Sequence, residues 1–191
     1  GYRLRAATAE RKVVLIGTGS EVSLAGSLTL EDGNLDTSLD IVRLDGPGGT
    51  LDLDVAYANE TNTIDLGFSL QEPPNGVVAN LLSIEGRPAV GLTLAGTGPV
   101  SNLEATLDLQ ANNATALSGS AVIRQEAGGF AVSTDLRGPL STLIAEPYRP
   151  FFGTETALSA SALVRSEGGF SITGIRLSGG QLQLEGAAET T

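Results

Sequence analysis

Apolar residues recur at every second position through most of this chain. The clearest run is Leu51–Tyr57, where Leu51, Leu53, Val55 and Tyr57 alternate with Asp52, Asp54 and Ala56. Such alternation marks a strand with one apolar and one wet face. It returns at Val22–Leu30, Leu35–Val42, Ile64–Leu70, Val90–Leu94 and Leu103–Leu109, and upstream at Tyr2–Thr8. Lys12–Ile16 is apolar on both faces and reads as a buried strand or one side of a packed pair. Turn chemistry fills the breaks: Gly17–Ser20, Asp32-Gly33-Asn34, Gly46–Gly49, Asn59–Asn62, Pro73–Gly76 and Gly96–Pro99. Two stretches lose the rhythm. Val77–Ile84 places Val78, Leu81 and Leu82 at helical spacing, and Pro139–Phe152 reads as a second irregular or helical insert. The expectation is an all-β fold of about thirteen or fourteen strands in one antiparallel pattern, with two short helical inserts and no internal domain boundary.

One hairpin is written twice. Ala116–Val132 (ALSGSAVIRQEAGGFAV) returns as Ala157–Ile172 (ALSASALVRSEGGFSI), one residue shorter before its glycine pair. Each copy predicts a strand, a two-glycine turn and a second strand that starts at the phenylalanine. A lone hairpin is marginal in water, so such units must stack side by side. Gly98–Ser101 (GPVS) and Gly138–Ser141 (GPLS) echo one another 40 positions apart, which supports the same period. Leu117, Ala121, Ile123, Phe130 and Val132 are the expected inward positions of the first copy.

Composition removes most chemistry. Cysteine and histidine are absent, and with them go disulfides, imidazole bases, thiolates and the usual zinc and copper ligands. The net charge is -11, with a single lysine, Lys12, among eleven basic residues. A surface of that sign repels phosphate backbones and anionic lipid headgroups, so nucleic acid is not an expected partner. No apolar run reaches the length of a membrane-spanning helix. The chain begins at Gly1, lacks methionine and ends in mid-pattern, which predicts a segment, 1–191, of a larger protein.

Candidate sites have simpler explanations. Lys12–Ala25 resembles a strand–turn–helix stretch of transketolases, and Gly17-Thr18-Gly19 resembles a phosphate cradle. Both need a helix after the turn, yet Val22–Leu28 runs at period two. The carboxylate pairs Asp52/Asp54, Asp36/Asp40 and Glu104/Asp108 suggest a calcium site or a glycosidase dyad. Without a calcium loop or an accompanying base, they read as the wet side of half-buried strands. No serine sits in a nucleophile elbow. The chain is read as a non-enzyme with no catalytic residues, metal or cofactor.

What remains is the apolar face. It is either the interior of a sandwich or barrel, or an open sheet whose aliphatic face holds lipid. Few aromatics, at 4%, and small residues at Ala6, Ala25, Ala105 and Ala131 suit a shallow groove for straight acyl chains. The expected lining is Leu51, Leu53, Val55, Leu66, Phe68, Leu70, Leu92, Leu94, Leu103 and Leu107.

Three segments resemble a known family: Gly86–Leu109 (GRPAVGLTLAGTGPVSNLEATLDL), Arg137–Gly153 (RGPLSTLIAEPYRPFFG) and Ile172–Gly186 (ITGIRLSGGQLQLEG). Their spacing around Pro99 and their Leu-Ser-Gly-Gly ending are similar to the periplasmic repeat region of the TamB family. These are inner-membrane-anchored subunits of the translocation and assembly module, related to AsmA-like proteins. The resemblance runs from about Val22 to the C-terminus. It implies an elongated, curved antiparallel sheet of repeated hairpins, a β-taco-like open groove. It further implies a periplasmic bridge between the membranes of a Gram-negative envelope, moving phospholipid and supporting outer-membrane protein assembly. The β-barrel partner of the Omp85 type would be met by parts outside this segment. The alternative is a structural or adhesive β-solenoid or sandwich that binds protein rather than lipid.

Overall fold

The computed structural model describes residues 21–189. The strands expected at Tyr2–Thr8 and Lys12–Ile16, and the turn at Gly17–Ser20, lie outside the described residues. Eleven or twelve expected strands remain, and eleven are present in one sheet. They are β1 (Val22–Glu31), β2 (Asn34–Arg43), β3 (Thr50–Ala58), β4 (Thr63–Glu72), β5 (Val90–Pro99), β6 (Asn102–Ala111), β7 (Ala114–Glu126), β8 (Gly129–Gly138), β9 (Thr156–Arg165), β10 (Phe170–Gly179) and β11 (Leu182–Glu189). Each strand pairs antiparallel with the next, so spatial order follows chain order throughout. The sheet is open and uncurled: β1 and β11 do not pair, and no second sheet of described residues stacks on it. Ten interstrand steps make it about 48 Å wide, against strands of about 34 Å. No helix among the described residues is long and apolar enough to cross a membrane.

Local chemistry explains the turns. Asp32 and Gly33 both take positive φ, 52° and 84°, as a two-residue hairpin turn of matching twist requires. Asn112 and Asn113 do the same between β6 and β7, at 50° and 64°. The duplicated hairpin is β7–β8 and β9–β10, but its glycine pairs are used differently. In the first copy Gly128 alone turns, at 93°, while Gly129 already pairs with Glu126. In the second, Gly168 and Gly169 both turn, at 98° and 83°.

One spaced motif proves unrelated to the repeat. Gly98–Ser101 forms the tight turn from β5 to β6, whereas Gly138–Ser141 leaves β8 at the opposite end of the sheet. Positions 40 apart are equivalent only where their strands are an even number of places apart in the sheet. Three strands without an insert carry Gly98 to Gly138, which reverses their direction, whereas the copied hairpins lie two strands apart and reach the same spacing through the insert between β8 and β9.

Both expected inserts exist and both leave the same end. The first, between β4 and β5, holds α1 (Val77–Leu81). Its first turn is capped by Glu72, whose carboxylate accepts from the amides of Val77 at 3.0 Å and Val78 at 2.7 Å. The second, between β8 and β9, holds two short 3-10 turns (Leu140–Leu143 and Glu146–Tyr148) and α2 (Arg149–Phe152). The inserts meet where the Glu146 amide donates to Glu85 Oε2 at 2.8 Å. The second insert also packs on β7, and Phe151 carbonyl accepts from Gln181 in the β10–β11 turn at 3.0 Å.

The candidate apolar face

Residues directly opposite in an antiparallel pair share a face, so the register sorts every strand residue. One row crosses the whole sheet. It runs from Gly26 through Leu39, Leu53, Phe68, Leu94 and Leu107. It continues through Gly119, Leu136, Leu158 and Leu177 to Leu184. Eight of these eleven positions are leucine, so the side chains meet as like neighbours at almost every step. On the insert side lies a second row, in which Leu24, Ile41, Leu51, Leu70, Leu92, Leu109 and Leu117 follow one another without a polar residue.

Toward the other end comes a row that narrows. Val55 and Leu66 give way to Gly96, Ala105, Ala121, Thr134 and Ala160 across β5 to β9. A fourth row holds Tyr57, Ile64, Ile123, Val132 and Ile172. The small residues form a shallow furrow between aliphatic ridges. Gly96 sits there under tight constraint, since an added Cβ would come within 2.7 Å of Ala105 Cα.

All ten predicted lining residues fall on this face. So do Leu117, Ala121, Ile123, Phe130 and Val132. Their exposure is not uniform. Most are half-buried, whereas Leu103 and Leu117 are 4% and 3% exposed and belong to the packed floor of the face. Across these rows no charged residue occurs. Seven strand acids fall on the reverse face, Asp36, Asp40, Asp52, Asp54, Asp65, Glu104 and Asp108, while Arg43 and Glu72 stand on the apolar face at its insert end.

The reverse face is polar by construction. Ser27 and Ser38 share a hydroxyl hydrogen bond of 2.7 Å, and Thr97 donates to Asp65 at 3.1 Å. Asp40 stands directly opposite Asp52. A concavity of about 750 Å³ on this side gathers Glu31, Asp36, Glu60 and Asp65 around Thr97. Among the described residues no group of three His, Cys, Asp or Glu side chains is placed to hold a metal.

No family model, curated protein or solved structure matches this chain.

One charged pair is specifically built. Arg43 donates to Asp45 through Nε and Nη2, each at 3.2 Å, and Asp45 Oδ1 also accepts from the Glu21 amide at 2.8 Å. The Arg43 hydrogen bond holds the Asp45 carboxyl below the usual carboxylate range, and Asp45 in turn raises Arg43. This clamp closes the β2–β3 loop at the edge of the apolar face.

Alternation made the face legible from sequence. Two things were not: that both inserts share one end, and that Asn112-Asn113 is a hairpin turn. These could have been found by counting strand parity and by weighting Asn-Asn as a positive-φ pair. Of the small residues expected on the apolar face, Ala105 lies in the furrow but Ala25 and Ala131 fall on the reverse face.

Proposed function

We propose that the apolar face binds the acyl chains of phospholipid, and that this chain is a non-catalytic lipid-carrying segment. The observation that carries the reading is the apolar row from Leu39 to Leu184, leucine but for Phe68 and Gly119, on a face that no second sheet of described residues covers. A sheet of this size in a soluble module ordinarily covers such a face with another layer. A contiguous exposed apolar patch of this extent marks a binding surface.

Moving a phospholipid through water exposes roughly thirty methylenes at about 0.8 kcal/mol each, or more than about 20 kcal/mol. An aliphatic face removes much of that cost without a reacting group. Because neighbouring strands present near-equivalent leucines, a chain can shift sideways by one strand, about 4.8 Å, while exchanging like contacts for like. The acidic reverse face keeps the other side in water and disfavours stacking of two sheets back to back.

The resemblance to the TamB family extends the proposal. On that reading the segment belongs to a periplasmic bridge anchored in the inner membrane of a Gram-negative cell. It carries phospholipid toward the outer membrane and supports outer-membrane protein assembly. Contact with an Omp85-type barrel belongs to parts outside this segment.

Native mass spectrometry of the purified chain with phospholipid tests the reading. Wild type should retain lipid adducts that are lost in Leu53→Asp/Phe68→Asp, with far-UV circular dichroism unchanged. Adducts equal in both proteins, or absent from wild type, would favour the protein-binding alternative.

A further inference from the structure

We draw no further inference here: the strongest candidate, the exposed apolar surface that Leu81 and Leu82 on the first insert and Tyr148 and Phe151 on the second present at one end of the sheet, carries nothing because nothing in the structure shows what covers it.

Discussion

Leu53 on β3 stands directly across from Phe68 on β4, in the middle of the row that crosses the whole sheet. Both are half-buried, so each gives the sheet part of its packing and still offers apolar surface. Phe68→Ala should cost about 1–2 kcal/mol, below the 3–5 of a fully buried phenylalanine. A double-mutant cycle with Leu53→Ala should return a favourable coupling of about 0.5–1 kcal/mol. Ser69→Ala, on the reverse face, should stay within about 0.5 kcal/mol. Urea denaturation measures all three.

Gly119 occupies a leucine-row position because β8 approaches β7 too closely for a side chain. A Cβ there would collide with the Asp135 carbonyl oxygen. Gly119→Ala should therefore destabilise the chain by about 1–3 kcal/mol. Gly186 near the sheet edge meets nothing within 4 Å of the same added atom. Gly186→Ala should be neutral or slightly stabilising, since it reduces the freedom of the unfolded chain. Thermal melts of the two variants compare them directly.

Asp40 and Asp52 face each other on the polar side. Like charges directly opposite destabilise a sheet. Asp52→Ser should raise stability by about 0.2–1 kcal/mol at low salt, and the gain should shrink as salt screens the pair. An unchanged midpoint at low salt would contradict this account of the pair.

The Arg43–Asp45 clamp gives the stability a signed dependence on pH. Asp45 is held below its unfolded value by the Arg43 hydrogen bond first and the Glu21 amide as well. Its contribution is present above the unfolded carboxylate pKa of about 3.9 and is lost as pH falls through the depressed folded value. Arg43→Gln should therefore flatten the acid limb of a stability–pH profile below about pH 4. The variant's deficit should be largest near neutral pH, though modest because the pair is partly exposed, and should vanish in acid.

Much of the architecture was legible in the residues themselves. Period two at Leu51–Tyr57 gave both the strand and the face of its side chains, because a half-buried sheet lets no other arrangement satisfy four apolar and two acidic residues in alternation. The Asp-Gly turn followed from positive φ. The repeat was legible as far as hairpins carry it: Phe130 and Phe170 do fall in one row, two strands apart, with Val164 between. The Gly-Pro echo failed because sequence spacing says nothing about strand parity: 40 residues hold three bare strands from Gly98 to Gly138, but two strands and an insert between the copied hairpins. The unequal burial of Leu103 and Phe130 was also invisible, since alternation names a face but not what lies over it.

The central claim is that the leucine-lined face, and not its acidic reverse, receives acyl chains. Leu94 and Thr93 are adjacent on β5 and point to opposite faces, and the chain has no cysteine. An environment-sensitive fluorophore can thus be placed on Leu94→Cys or Thr93→Cys alone, and each protein mixed with phospholipid brominated on its acyl chains. The account predicts strong quenching and a blue shift at position 94, with neither at 93. Equal quenching at both positions, or none at 94 in a folded protein, would contradict it.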